Sequence, residues 1–141
     1  MTDQELVERA RLARKMAYIP YSHFAVGAAI LTSSGAVYTG CNIECGTYSP
    51  TNCAERTAVF KAVSEGERSF QAIAIVGGPE GDVLTYAAPC GVCRQVLAEF
   101  CSPDFRILLG QNDGSIREFA LKELLPEAFI LQEARKIKGE C

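Results

Sequence analysis

Apolar and polar residues alternate along the chain in blocks whose spacing predicts helices and strands in turn. From Asp3 to Ala17, the residues Leu6, Ala10, Ala13 and Ala17 fall on one stripe, the period of an amphipathic helix that Pro20 ends. Phe24 to Leu31 is nearly continuous in apolar residues and predicts a strand. Ser33-Ser34-Gly35 marks a turn and Ala36 to Cys41 a second strand, so the pair reads as a hairpin. After a polar loop, Cys53 to Ser64 predicts a helix with Ala54, Ala58, Val59 and Ala62 on its apolar face. Thr51 or Asn52 can cap it, and Glu55 suits its first turn. Gln71 to Val76 reads as a short buried strand. Pro89 opens a helix that runs through Phe100, because proline suits the first helical turn. Phe105 to Leu109 and Ser115 to Phe119 predict two further strands around a turn at Asn112-Asp113-Gly114. Leu121 to Leu125 and Ala128 to Ile137 read as helical, with Pro126 between them. Strands interleaved with helices imply a mixed sheet covered by helices on both faces.

The length of 141 residues suits one domain spanning 1–141, with no repeat, low-complexity tract or linker to divide it. Apolar residues are 48% and charged residues 22% of the chain, which excludes a disordered chain, a collagen-like fibre and a coiled coil. The longest clean apolar run is far short of the ~20 residues that cross a membrane. The polar, acidic N-terminus does not read as a secretory leader. The expectation is a cytoplasmic protein without a membrane partner.

Fourteen Lys and Arg against seventeen Asp and Glu give a net charge of −3. Proteins that grip a phosphate backbone show a basic face. Here the one basic cluster, Arg9, Arg11, Arg14 and Lys15, has Glu5 and Glu8 beside it and reads as a solvated helix face. A small-molecule ligand is expected rather than nucleic acid. The run Gly77-Gly78-Pro79-Glu80-Gly81-Asp82 lacks the Lys-Ser/Thr ending of a phosphate loop and reads as a turn.

The seven cysteines are Cys41, Cys45, Cys53, Cys90, Cys93, Cys101 and Cys141. An odd count without a leader argues against a disulfide framework and for core, metal-binding or catalytic thiols. The single histidine, His23, has no Gly-x-Ser-x-Gly elbow to serve and reads as a surface or loop residue. Two predicted helix starts carry cysteines: Cys53-Ala54-Glu55-Arg56 and Pro89-Cys90-Gly91-Val92-Cys93-Arg94. Cys90 and Cys93 share a helix face, and two thiolates at that spacing can hold zinc. Cys53 can add a third ligand, and the fourth position then belongs to water, the pattern of a catalytic zinc.

Zinc with three thiolates sums to −1. Helix N-termini offset part of the sulfur charge. Arg56 can donate hydrogen bonds to the thiolates and tune the metal, or it can form a surface ion pair. Glu55 can move protons if the metal sits in front of the helix end, or it can simply complement the helix dipole. Cys90-x-x-Cys93 alone is a weak signal. Joined to Cys53-x-Glu55 across an intervening strand, it matches the signature of zinc deaminases, with three cysteines and a glutamate that does not bind the metal.

The chain resembles the cytidine deaminase family, specifically its small homotetrameric kind, over nearly its whole length. The residues that carry the resemblance are Pro20 to Ala29, Asn42-Ile43-Glu44, Cys53 to Ala58, Pro89 to Val96 and Leu124 to Phe129. The resemblance implies a three-layer αβα sandwich around a mixed five-stranded sheet, one Zn2+ per chain, and hydrolysis of cytidine and deoxycytidine to uridine and deoxyuridine. It implies that Cys53, Cys90 and Cys93 hold zinc and that Glu55 shuttles protons. Asn42 and Glu44 would clamp the ribose, Phe24 would pack on the base, and the Ala54 backbone would meet the base. Tyr48 and Phe129 would complete the pocket of a neighbouring subunit in a tetramer with shared active sites. Read without the resemblance, Phe24 suits a core strand, and Asn42 and Glu44 suit a polar loop. The chain departs from the family at Cys45-Gly46-Thr47, which places an extra thiol near the pocket. Cys53 is preferred as ligand because Cys45 lacks a helix start. Cys41, Cys101 and Cys141 read as structural or free thiols.

Two other readings remain open on the sequence. One is a deaminase of the same fold acting on another substrate, such as an aminonucleoside antibiotic. The other is a non-catalytic zinc-binding module with a fourth protein ligand, to which Cys45 would be the candidate.

Overall fold

The computed structural model describes residues 1–131 of the chain. The elements are α1 (Asp3–Arg14), β1 (Phe24–Thr32), β2 (Val37–Cys41), α2 (Ala54–Ser64), β3 (Phe70–Pro79), α3 (Gly91–Phe100), β4 (Arg106–Gly110), β5 (Ile116–Ala120) and α4 (Leu121–Leu124). The strands form one sheet in the order β2-β1-β3-β4-β5. Only β3 and β4 run parallel, pairing Ile73 with Ile107 and Ile75 with Leu109, while the other neighbours are antiparallel.

Side chains along a strand alternate between faces, and this alternation builds two cores. Ala28, Ile30, Ile73, Ile75, Ile107 and Leu109 pack towards α2 and α3, meeting Ala54, Ala58, Val59 and Leu97. Ala29, Ala72, Ala74, Val76 and Leu108 face the other way, onto Leu6, Val7 and Ala10 of α1. The result is the expected three-layer αβα sandwich with a mixed five-stranded sheet. Gly40 allows α2 to seat on β2. A Cβ at this position would stand 2.5 Å from the Ala58 nitrogen and 2.6 Å from the Ala54 oxygen.

Several boundaries differ from expectation. The first helix stops at Arg14, not Ala17. Past it the chain tightens into short turns, with Met16 N–H donating to Ala13 and Ala17 N–H to Arg14. Tyr18 then pairs with Asn42 and Glu44 instead of extending the helix. The expected short strand ending at Val76 continues to Pro79, because Gly77, Gly78 and Pro79 still pair with Val26, Ala25 and Phe24. The turn read from Gly77 therefore begins only after Pro79.

Neither Thr51 nor Asn52 caps α2. Thr51 accepts from the Cys45 N–H and Asn52 donates to Thr57 Oγ1, so Cys53 takes the N-cap position without a side-chain cap bond. Pro89 precedes α3 rather than opening it, because Cys90 is its N-cap. Ala128 to Leu131 are not helical. The rest of the helix expected there, together with Cys141, lies outside the described residues. Among the described residues no helix is long and apolar enough to cross a membrane.

Candidate active site

The N-termini of α2 and α3 converge on one side of the sheet and bring three thiols together. Cys53 and Cys90 are N-cap residues, and Cys93 lies in the first turn of α3. Their sulfurs all lie within 4.8 Å of one another, and the Cys53 and Cys90 sulfurs are 3.8 Å apart. Helix N-termini carry unsatisfied N–H groups and partial positive charge, which favours thiolates there. The Cys93 N–H donates to Cys90 Sγ at 3.5 Å. Arg56 Nη2 donates to Cys53 Sγ at 3.2 Å, while its buried Nε has no protein partner among the described residues.

These contacts set the charge state of the cluster. The hydrogen bond from Cys93 and, against the cost of burial, the bond and charge of Arg56 pull the Cys53 pKa down to about 5. Cys93 moves up, through its hydrogen bond to Cys53 and its burial. Both shifts come chiefly from the hydrogen bond that the two sulfurs share, which favours one negative charge on the pair. Burial opposes the Arg56 charge, but the sulfurs of Cys53 and Cys93 outweigh it and raise its pKa.

Glu55, 5% exposed, is the only charged residue among the buried positions described. Burial, with the Cys53 charge adding to it, pushes its carboxyl up to about 7. A cavity of about 290 Å³ opens in front of it. Phe24, Asn42, Cys53, Ala54, Glu55 and Cys90, all singled out from the sequence, line this cavity, and Cys93 is buried. Val26, Ile75, Tyr86, Ala87 and Ala88 also line it and were not singled out. Val26 was within reach of sequence reasoning, because it shares the strand face of Phe24. Tyr86 had no signal beyond standing a few residues before Cys90.

The other expected site residues are placed differently. Both ends of the Asn42 amide bond the β1 backbone. Oδ1 accepts from Val26 N–H at 2.9 Å and Nδ2 donates to the Phe24 oxygen at 2.8 Å. Glu44 does not line the cavity. Its Oε1 accepts from the N–H groups of Tyr21 and Ser22 at 3.0 and 3.1 Å, and bonding from the Ser22 side chain holds its carboxyl below the usual range. Tyr48 is 70% and Phe129 68% exposed, and neither lines the cavity of its own chain. Tyr48 meets the Tyr21 ring edge-on at 5.9 Å. Cys45 is half-buried and outside the thiol cluster. His23, beside Glu80 at 3.3 Å, is an exposed loop residue, as expected.

The donor set fits zinc. Two sulfurs at about 2.3 Å from a tetrahedral ion stand about 3.8 Å apart, the spacing found between Cys53 and Cys90. Three soft ligands would hold such an ion, and the Arg56 guanidinium at the Cys53 sulfur would offset part of the sulfur charge.

Comparison with known proteins agrees with this geometry. The family description "Cytidine and deoxycytidylate deaminase zinc-binding region" matches residues 1–109. A cytidine deaminase of Sporosarcina psychrophila is 52% identical over 133 residues, covering 94% of this chain and 95% of that protein. A blasticidin-S deaminase of Bacillus cereus is 35% identical over 128 residues, covering 88% and 89%. The crystal structure of a cytidine deaminase from Burkholderia pseudomallei superposes with a TM-score of 0.83 at 46% identity, over 92% of this chain and 100% of that one. With a zinc-binding region matched and three convergent thiols in place, the chain has the donor set for one zinc ion. It belongs to the cytidine and deoxycytidylate deaminase family.

Proposed function

We propose that the protein hydrolyses cytidine and deoxycytidine to uridine and deoxyuridine, releasing ammonia, as a single domain over residues 1–141. The observation that carries this reading is the buried Glu55 carboxyl, set beside three converging thiols at the wall of a cavity near the lower size limit of small-molecule sites. When bound, zinc supplies the Lewis acidity that makes water a nucleophile at neutral pH. Cys53, Cys90 and Cys93 hold the metal, and Arg56 orients the Cys53 sulfur and offsets its charge.

Glu55 is poised to accept and return protons near neutrality. Its carboxylate takes one proton from the attacking water and delivers it to N3 of the base. It then carries the second, from the new C4 hydroxyl, to the amino nitrogen. The C4–N bond breaks, ammonia leaves and C4 becomes a carbonyl. Phe24 packs on the base and the backbone at Ala54 meets its polar edge. Asn42 and Glu44 hold the ribose. Each retains polar capacity beyond the backbone bonds described, and those bonds fix the side chains in place.

Tyr48 and Phe129, exposed and outside the lining of their own cavity, complete neighbouring pockets in a homotetramer. The enzyme serves pyrimidine salvage in the cytoplasm, with no nucleic-acid or membrane partner. The decisive experiment measures ammonia and uridine formed from cytidine, with zinc quantified per chain in the same preparation. Zinc-loaded protein that leaves cytidine intact, or that turns over cytosine faster than cytidine, overturns the reading. An aminonucleoside substrate has the support of the 35% identical relative, against 52% for a cytidine deaminase, and blasticidin S belongs in the same assay.

A further inference from the structure

We propose that Tyr86 is a specificity-determining residue that limits the size of substituents at C5 of the pyrimidine ring. This rests on the deamination reading, because the reaction fixes how the base must sit. C4 faces the thiol cluster and N3 faces Glu55. In a six-membered ring N3 and C5 flank C4 on opposite sides, so the C5 edge turns away from α2, which carries Ala54 and Glu55. The side chains of Phe24, Val26 and Ile75 come from the sheet and offer a surface for the face of the ring. What remains to meet the C5 edge is the segment that leads into α3, where Tyr86, Ala87 and Ala88 line the cavity. Two of those three side chains are single methyl groups. Tyr86 supplies the bulk.

That segment is held firmly enough to act as a wall. Thr85 N–H donates to the Gly77 oxygen at 2.8 Å, and Leu84 N–H donates to Asn112 Oδ1 at 2.9 Å. A Cβ on Gly77 would stand 2.8 Å from the Ala87 Cβ, so the absence of a side chain there lets the segment press against β3. The Tyr86 ring is pinned from outside. The Arg117 guanidinium lies 4.8 Å from its centroid and 5.4 Å from that of Phe119, a cation–π arrangement. Tyr86 is 51% exposed, which places its ring at the mouth of the cavity. A hydrogen at C5 clears such a ring, whereas a large substituent meets it. A neutral nucleoside gives the Arg117 charge nothing to bind, so Arg117 is a positioning residue that fixes the ring.

The test compares kcat/KM for cytidine, 5-methylcytidine and 5-iodocytidine in zinc-loaded enzyme. Taking each analogue as a ratio to cytidine, and comparing that ratio between variants, cancels the electronic effect of the substituent. Tyr86→Ala is expected to raise the 5-iodocytidine ratio by roughly ten-fold or more, the scale on which a tight pocket discriminates by size. Tyr86→Phe, which keeps the ring, leaves the ratio at the wild-type value. Arg117→Gln, on the edge strand β5, gives a smaller rise in the same direction. An unchanged ratio in Tyr86→Ala, with cytidine still turned over, overturns the proposal. Should that variant fail to fold, Tyr86→Leu and Arg117→Gln take its place, and unchanged ratios in both overturn it equally. A wild-type enzyme inert towards cytidine removes the deamination reading and this inference with it. An active enzyme with an unmoved ratio removes this inference alone.

Discussion

Glu55 occupies a position where its charge is poorly solvated, buried and next to the Cys53 sulfur. Such a site is unfavourable for a merely structural glutamate and suited to one that trades protons. Glu55→Gln keeps the shape and the helix start, so the variant is expected to retain one zinc per chain. Its turnover should fall by roughly 10²–10⁴-fold, the range of general acid–base contributions, as read by paired metal analysis and rate measurement. Zinc loss, or activity near the wild-type value, defeats the shuttle role. Arg56 makes a different contribution. Its bond to the Cys53 sulfur would steady a zinc ligand, and Arg56→Gln is expected to weaken zinc binding by roughly 10–100-fold in a chelator competition. The cysteines and Glu55 were legible in the sequence because few residue types can do their chemistry and helix starts restrict where they stand. Asn42 was legible only in part. Alone it read as a polar loop residue and only the family resemblance assigned it to the ribose, while its two bonds to the β1 backbone depend on a strand pairing that no local pattern displays.

The α2 helix reaches the site because Gly40 lets it approach the sheet. Gly40→Ala would force a methyl group against the backbone of Ala54 and Ala58, with no flexible side chain to yield. It is expected to cost about 1–3 kcal/mol, as overpacking does, and thermal melts alongside zinc content would show whether α2 shifts. On the other side of the site, Arg94 clasps the carbonyls of Pro89 and Leu124 at 2.7 Å each and fixes the approach to α3. Element identity came through in the short, nearly continuous apolar runs of β1, β3 and β4, which are buried on both faces, and in the apolar face of α2. Element ends did not. The β3 strand outran its apolar stretch because β1 offered it partners as far as Phe24. The first helix fell short because Tyr18 found partners in the segment after β2. Both outcomes were decided by contacts between residues far apart in sequence, where propensity carries little weight.

Distant parts of the chain are joined by Arg106, whose guanidinium bonds Asp3 at 2.7 Å and Glu118 at 2.9 Å. The hydrogen bonds from Arg106 hold the Glu118 carboxyl below its usual value of 4.5. A lowered folded-state value means that the pair stabilises the fold above that usual value. The contribution is lost as pH falls through the folded one. These side chains are nearly half exposed, so the gain is screened, and Glu118→Gln is expected to cost no more than about 1 kcal/mol near neutrality. Urea melts should show that difference shrinking as acid is added. Assembly is tested by Phe129→Ala. If its ring completes a neighbour's pocket, the variant loses activity while light scattering still reports the wild-type oligomer. A fully active monomer would refute shared sites.

Cys53 and Cys90 are 37 residues apart, with all of β3 between them. Cys90 and Cys93 share one turn, whereas the third sulfur joins them only because β3 pairs with β1 and the two helix tips meet. Tight capture therefore requires that junction to be in place, so zinc binding and the stability of the junction are coupled. Stripping the ion with a chelator is then expected to lower the melting temperature of the whole sheet, a cost that measurements of catalysis alone would never register.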